Sequence, residues 1–333
     1  MIVLGIDTSC DETSASILKD GNVLSNIIYS QFIHKKFGGV VPSLASKDHE
    51  KNISTVVSEA INVSKIDIND IDAIAVTNCP GLISCLLVGL NFAKGFAIGL
   101  NIPIISINHL EGHLCSTLIN SKLPKYPYLC LLVSGGHTQI WCVENCNNYK
   151  ILSTTVDDAV GEAFDKGAKM LGLQYPGGPE IEKYSEGGNP SKYKFSIPKL
   201  KKNPLNFSFS GIKTALYYLI KNNNDDYIKE NFNHICASYQ EALINILFFK
   251  LVDVLKNKNM KNISIVGGVS CNSRFRLKAL EFEKKYNVKI DFPKMEFCTD
   301  NGAMIAMAAY LQLKNNSKVK SNFSELPIPN LKF

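Results

Sequence analysis

Ile2-Val3-Leu4-Gly5-Ile6, Asp7-Thr8-Ser9-Cys10-Asp11-Glu12-Thr13 and Ser14-Ala15-Ser16-Ile17-Leu18 follow one another at the head of the chain and read as strand, tight polar turn and return strand. The turn is dense in hydroxyls and carboxylates. The same pattern returns at Tyr128-Leu129-Cys130-Leu131-Leu132-Val133, Ser134-Gly135-Gly136-His137-Thr138 and Gln139-Ile140-Trp141-Cys142. A second echo pairs Ala73-Ile74-Ala75-Val76, its Pro80-Gly81 turn and the apolar stretch Ser84 to Leu100 with Ile263-Ser264-Ile265-Val266, Gly267-Gly268-Val269-Ser270 and the helix after it. The second half is therefore a looser copy of the first, with about 65 extra residues between its hairpin and its later strand.

This repeat predicts a duplicated α/β fold of two lobes, 1–120 and 121–333. The second carries an inserted substrate-binding segment at about 145–235, which includes Tyr175-Pro176-Gly177-Gly178-Pro179 and Asn206-Phe207-Ser208-Phe209-Ser210-Gly211. Glycine lets backbone N–H groups face an anion closely, and hydroxyls add donors. A lone Ser-Gly-Gly reads as an ordinary β-turn; a polar hairpin turn at matching places in both halves favours phosphate binding. The architecture resembles the actin, hexokinase and Hsp70-like ATPase (ASKHA) fold, in which the two hairpin turns close on a nucleotide in the cleft between the lobes.

The 333 residues are 45% hydrophobic with 17 Phe and 13 Tyr, enough for two cores. Residues 43–63 place Ile53, Val56, Val57, Ala60 and Ile61 at helical spacing. The stretch from Ser84 to Leu100 is interrupted by Asn91 and Lys94, so a buried helix is expected there and no membrane span. A net charge of +6 permits a polyanionic partner without demanding one. Cys10, Cys79, Cys85, Cys115, Cys130, Cys142, Cys146, Cys236, Cys271 and Cys298 form no CxxC pair, and most sit in apolar runs. They read as reduced core cysteines of a cytoplasmic protein. The immediate entry into a strand is read as leaving no room for a signal or transit peptide.

Asn108-His109-Leu110-Glu111-Gly112-His113-Leu114 follows the strand-like Ile104-Ile105-Ser106-Ile107. A helix starting here puts both imidazoles on one face, one turn apart, where they can grip one transition metal. Two histidines at that spacing are also common as packing or surface residues. Glu111 argues against a zincin, which needs glutamate directly after the first histidine; here it lies about 200° round the helix and points away from the metal face.

Nine segments in order carry a further resemblance. They are Gly5–Thr13, Gly38-Gly39-Val40-Val41-Pro42, His109-Leu110-Glu111-Gly112-His113, Leu132-Val133-Ser134-Gly135-Gly136-His137-Thr138 and Gly161-Glu162-Ala163-Phe164-Asp165-Lys166. The remaining four are Tyr175-Pro176-Gly177-Gly178-Pro179, Phe207-Ser208-Phe209-Ser210-Gly211, Gly267-Gly268-Val269-Ser270-Cys271-Asn272 and Cys298-Thr299-Asp300-Asn301-Gly302-Ala303. From residue 2 to about 313 the chain closely resembles the bacterial branch of the universal tRNA threonylcarbamoyladenosine synthase family, once labelled O-sialoglycoprotein endopeptidase. The resemblance implies a transferase that moves the threonylcarbamoyl group from threonylcarbamoyl-AMP to N6 of adenosine 37 in tRNAs reading codons that begin with adenine (t6A formation), releasing AMP.

The resemblance further implies one divalent metal, Fe2+ or Zn2+, held by His109, His113 and Asp300. By position alone Asp300 reads equally as an N-cap of the apolar helix that follows it. Substrate-binding roles are implied for Leu132, Val133, Ser134, Gly135 and Gly136, for Asp165 at the ribose, for Gly178, and for Asn272 on the base side. Glu182 stands where many relatives carry a ribose-binding aspartate and is one methylene longer. Leu110 replaces a common methionine, a packing-sized exchange. Asp11 and Glu12 read equally as acid/base groups near the acceptor amine or as caps of the hairpin, and His137 as a substrate contact or an ordered polar residue.

For the tRNA anticodon loop two lysine sets are candidates. One is Lys192, Lys194, Lys199, Lys201 and Lys202 interleaved with Tyr193 and Phe195; the other is Lys35, Lys36 and Lys47 beside Gly38-Gly39. Partners implied by the resemblance are the shorter non-catalytic paralogue TsaB, paired through helical region 43–100, and the P-loop ATPase TsaE. Three rivals remain: an ATP-dependent small-molecule kinase of the same fold, a metallopeptidase, and a non-enzymatic scaffold.

Overall fold

The computed structural model of the chain describes residues 1–119, 126–145, 148–198, 200–258, 260–315 and 322–330. Its contacts divide into two compact units, Met1–Pro124 with Pro293–Phe333, and Lys125–Phe292.

The first unit is built on β1 (Ile2–Asp7), β2 (Glu12–Lys19), β3 (Asn22–Ser30), β4 (Ala73–Cys79) and β5 (Ile104–Asn108), in the order β3-β2-β1-β4-β5. The opening hairpin is in register from Ile2 opposite Lys19 to Asp7 opposite Ser14. β4 and β5 then add in parallel on the other side of β1. Side chains alternate across a strand, so Ile2, Leu4 and Ile6 enter one core and Val3 another. The first core is closed by α1 (Pro42–Ser64) and α2 (Ile83–Leu100) through Ile53, Val57, Leu90 and Ala93. The second is closed by a helix from the far end of the chain, α10 (Gly302–Asn315), through Met304, Ile305 and Ala308, with α3 (His109–Cys115) packed beside it.

This return of the chain differs from the expected second lobe of 121–333. The segment from 293 onward belongs to the first unit because α10 is apolar nearly all round and finds its partners on β1, β2 and α3.

The second unit repeats the strand pattern. β6 (Tyr128–Val133), β7 (Thr138–Asn145), β8 (Asn148–Thr154), β9 (Asn262–Val266) and β10 (Lys289–Asp291) form a sheet in the order β10-β9-β6-β7-β8. β6, β7 and β8 run antiparallel as the hairpin and its third strand, and β9 joins β6 in parallel with β10 beyond it. Strand for strand this is the topology of the first unit. The extra residues lie between β8 and β9 as α4 (Val160–Met170), α5 (Gly177–Ser185), α6 (Ser210–Lys221), α7 (Asp225–Glu230) and α8 (Phe232–Asn257), and α9 (Ser273–Tyr286) links β9 to β10. α8 is the spine of this core: Ile235, Tyr239, Leu243, Leu247 and Leu251, four apart, are all fully buried.

α2 and α8 are both long and apolar enough to cross a membrane by length and composition. α8 is buried on most of its surface. α2, expected to be buried, buries only one face, through Cys85, Leu86, Leu90, Ala93 and Ala97, and leaves Ile83, Leu87 and Ile98 exposed. The nine described cysteines carry thiols outside any disulfide, seven of them buried; Cys146 lies outside the described residues. Burial pushes the Cys130 thiol up to about 12, so it is an inert packing group at neutral pH.

Candidate functional site

The first unit gathers its chemistry where β5 ends. Asn108 caps α3, its Oδ1 accepting from the N–H groups of Leu110 at 2.8 Å and Glu111 at 3.4 Å, so the helix starts at His109 and the two histidines share a face. Glu111 turns the other way and accepts from Gln312 Nε2 at 3.2 Å. Gly112 keeps α3 close to α10; a Cβ there would lie 2.8 Å from Ile305 Cδ1. That contact fixes the start of α10 beside the imidazoles.

Asp300 stands just before α10, and the cap of that helix is its neighbour: Met304 N donates to Asn301 Oδ1 at 3.0 Å. The carboxylate of Asp300 is thereby left to the histidines. Its Oδ1 lies 3.1 Å from His113 Nε2 and 3.4 Å from His109 Nε2. One ligand atom from each of the three residues falls within 4.8 Å of the others. His113 Nε2 is buried and makes no hydrogen bond among the described residues, although it faces that oxygen. A buried nitrogen aimed at a shared point without a hydrogen bond, beside a second imidazole and a carboxylate, is a donor set that could hold a divalent transition metal. Burial opposes charge on His109, but the Asp300 and Asp7 carboxylates outweigh it and hold the imidazole well above its usual range. Burial likewise opposes charge on Asp300 and is outweighed by the two histidines, which hold it well below the usual carboxylate range. A cation entering here displaces the His109 proton, so metal uptake is to be accompanied by proton release.

Asp300 and Asn301 are separable by mutation. Asn301→Ala removes a helix cap and is expected to cost about 1 kcal/mol of stability while retaining metal content, measured by denaturant unfolding and metal analysis on one sample.

Asp7, which sequence reading did not single out as a site residue, belongs to the same cluster. It is fully buried, binds the N–H and hydroxyl of Ser9, and places Oδ2 3.4 Å from His109 Nδ1, where it orients the ring. Its place in the hairpin turn Asp7-Thr8-Ser9 was the available signal. His49 was also missed. Its Nε2–H donates to Cys10 O at 2.9 Å and its Nδ1 accepts from Thr13 Oγ1 at 2.7 Å, bracing the hairpin turn from α1; burial lowers its pKa, so the ring is a neutral strut.

Glu12 opens β2 opposite Ser30. Burial, then the charges of Asp11 and Asp300, hold its carboxyl well above the usual range. Cys10 is raised by the same burial and by Asp11, so its thiol is no nucleophile at neutral pH. Because folded Glu12 holds its proton more tightly than the unfolded chain does, its stabilising contribution is complete below the ordinary carboxylate pKa and is lost as pH rises through the folded value. Glu12→Gln is therefore expected to raise the thermal midpoint, and by more at pH 8 than at pH 5; an equal shift at both would contradict the assignment.

In the second unit, Leu132 and Val133 are fully buried inside β6, paired with β7 on one side and, for Leu132, with β9 on the other. Their backbones serve the sheet, which leaves Ser134, Gly135 and Gly136 as the part of the expected segment that is open. Ser134 N closes the turn on His137 O at 2.9 Å, and Gly135 and Gly136 are exposed with open space above them. Two glycines bring neighbouring backbone against this turn. A Cβ on Gly161 would fall 2.7 Å from Ser134 O, and one on Gly267, at φ +94°, 2.5 Å from Val133 O.

The remaining predicted residues hold helix starts. Asp165 Oδ1 accepts from Gly177 N at 2.7 Å, and Gly178 sits in the first turn of α5 with only Phe164 near its missing Cβ. Asn272 caps α9, accepting from Phe275 N at 2.9 Å and donating to Glu182 Oε2 at 3.1 Å and Gln240 Oε1 at 2.7 Å. Glu182 also accepts from the N–H and hydroxyl of Ser273. The structure thus joins Glu182 to Asn272. Lys166, beside Asp165, pairs with Asp158 and Glu162.

The lysine-rich segment of the insertion is partly committed to packing. Tyr193 donates to Tyr227 Oη at 2.9 Å, Phe195 stacks edge-on against Tyr239, and Lys192 donates to Asn231. Lys199 lies outside the described residues.

Against known proteins, residues 22–307 match the family model TsaD, tRNA N6-adenosine threonylcarbamoyltransferase. The chain is 48% identical over 334 residues to the tRNA N6-adenosine threonylcarbamoyltransferase of Thermosipho africanus, covering 100% of both. It is 46% identical over 318 residues to that of Cytophaga hutchinsonii, covering 94% of this chain and 92% of the relative. Among solved structures it is similar to HypF of T. kodakarensis, with TM-score 0.64 and 13% identity over 94% of this chain and 48% of that one. It is also similar to the activator of 2-hydroxyisocaproyl-CoA dehydratase from Clostridium difficile with bound ADPNP, with TM-score 0.52 and 16% identity over 98% and 100%. At these identities the structures speak to fold alone, and the fold is the duplicated ASKHA one.

Proposed function

The chain belongs to the tRNA N6-adenosine threonylcarbamoyltransferase family, and from this we propose that it transfers a threonylcarbamoyl group to N6 of adenosine in tRNA. The carrying observation is 48% identity over the full length to an enzyme of that name; the cluster of His109, His113 and Asp300 supports it as the site of a metal-assisted reaction. A small-molecule kinase on the same fold leaves that cluster unexplained. A peptidase lacks its glutamate, since Glu111 faces Gln312.

In finer detail, the donor is threonylcarbamoyl-AMP and AMP is the leaving group. The acceptor is adenosine 37 of the anticodon loop. His109, His113 and Asp300 hold one divalent ion, iron or zinc, which supplies Lewis-acid polarisation and a template for donor oxygens. Asp7 keeps His109 in register. Gly135 and Gly136 offer backbone N–H groups to phosphate and carbamoyl oxygens, presented by the turn that Ser134 closes. Asp165 and Glu182 accept from the ribose hydroxyls, Asn272 sets the base side, and Gly178 permits close passage of the nucleoside. Glu12, with Asp11 beside it, takes the proton that the acceptor amine loses.

The exposed apolar face of α2 supports association with a paralogous subunit such as TsaB, and a P-loop ATPase such as TsaE completes the assembly in the cytoplasm. The test is direct. Incubation of the protein with threonylcarbamoyl-AMP and unmodified tRNA, followed by nucleoside mass spectrometry, is expected to yield t6A. Failure to form it with the partners supplied would end the proposal.

A further inference from the structure

One surface of the first unit is left unused by this chemistry. Tyr29 at the end of β3, Phe32 and Ile33 in the helical turn Phe32–Phe37, and Lys47, Asp48 and Lys51 on α1 line an open groove of about 370 Å³. Its apolar residues are unusually bare: Phe32 is 70% exposed, Ile33 44% and Tyr29 39%. Phe37, beyond them on the same turn, is 56% exposed. A protein of this size hides most such rings, and an exposed cluster marks an interaction site.

The charge around the rings selects the occupant. Lys47 and Lys51 are four apart and project from one face of α1. Lys35 holds its ammonium 4.9 Å from the centre of the Phe32 ring, and Lys36 follows it. The lining itself carries Lys47, Lys51 and one carboxylate, Asp48, whose Oδ1 accepts from Asn52. Aromatic faces interleaved with lysines are what single-stranded nucleic acid requires: unstacked bases on the rings, phosphates on the ammonium groups.

The platform is tied to the hairpin turn. His34 is buried beneath it, donating from Nε2 to Gln31 Oε1 at 2.8 Å and accepting from Val41 N on Nδ1 at 3.3 Å. Gln31 in turn donates through its side chain to Ala45 O at 3.2 Å and through its backbone to Asp11 O at 3.1 Å. On the sheet, Tyr29 lies opposite Thr13, and Ser30 opposite Glu12.

We propose that this groove docks the single-stranded loop of the RNA substrate, one base stacked on Phe32 and the backbone phosphates met by Lys35, Lys47 and Lys51, which delivers the acceptor base beside Asp11 and Glu12. The proposal rests on the reading of the chain as a tRNA-modifying enzyme and names where on it the RNA sits. No residue of the groove takes part in the chemistry, so affinity and turnover separate.

Full-length metal-loaded protein, with any partners that co-purify, is titrated with a fluorescent unmodified anticodon stem-loop, and transfer rates are measured on full-length tRNA. Phe32→Ala is expected to weaken RNA binding about 5- to 150-fold, the range for loss of one stacked base, raising KM for tRNA with kcat retained. Phe32→Trp is expected to restore affinity, which shows that the alanine variant fails through stacking and not through misfolding. Lys47→Glu with Lys51→Glu is expected to weaken binding and flatten the dependence of log K on log salt by about 1.4, the contribution of two single-strand phosphates. Unchanged RNA affinity in all these variants, with wild-type transfer intact, overturns the docking site and leaves the family reading standing. Loss of a co-purifying protein with RNA affinity unchanged also overturns it, by giving the groove a protein occupant. A wild-type protein that neither binds nor modifies RNA removes the family reading and the docking site together.

Discussion

Asp300→Asn and His113→Ala are each expected to leave a folded protein that has lost its divalent metal and transfers threonylcarbamoyl on the order of a thousandfold more slowly, the several kcal/mol that a polarising ion contributes to such a transition state. The expectation of intact folding comes from the surroundings. α3 keeps its cap on Asn108 and α10 keeps its cap on Asn301 in both variants. Neither mutated side chain supports a helix end, and Asn is nearly the shape of Asp. The loss of metal follows from the donor set: three residues contribute one atom each, and removing one leaves too few protein ligands for a tetrahedral site with an open position. Metal analysis, circular dichroism and single-turnover transfer on the same preparations check all three parts. A variant that retained both metal and rate would mean the cluster is a buried ion pair and nothing more.

Gly5→Ala is expected to destabilise the first unit by at least about 3 kcal/mol, at or above the usual cost of overpacking a core. A Cβ at this position would lie 2.2 Å from Gly302 O and 2.6 Å from Ala306 N, both backbone atoms of α10 that no rotamer change can move. The reverse contact is equally close, with a Cβ on Gly302 2.6 Å from Gly5 O. Strand and helix must therefore part, and the segment that moves carries Asp300 at its head. The variant is expected to lose metal affinity along with stability, although Gly5 touches no ligand. Denaturant unfolding with parallel metal titration reads both; a midpoint within experimental error of wild type would show that α10 is not pinned by this pair.

The hairpins were legible because an apolar run, a polar turn and a return strand are written within a few positions, and their recurrence at Tyr128 exposed the duplication. The shared face of His109 and His113 followed from helical spacing, and so did the outward direction of Glu111. Which of Asp300 and Asn301 caps α10 was not legible: the two are adjacent, both suit a cap, and the choice depends on the path by which the backbone enters the helix. The packing of Tyr193 and Phe195, in a segment that read as a lysine-rich surface, was hidden for a similar reason.

Local pattern thus determined the strands, the turns, the repeat and the two imidazoles. Tertiary packing alone decided that the last helix returns to the first unit, that Asp7 stands behind His109, that Glu182 and Asn272 meet at the start of α9, and that Phe32 is left bare while Phe195 packs against Tyr239. Those outcomes depend on contacts between residues far apart in the chain, selected by which apolar surfaces fit together, and no spacing along the sequence encodes that fit.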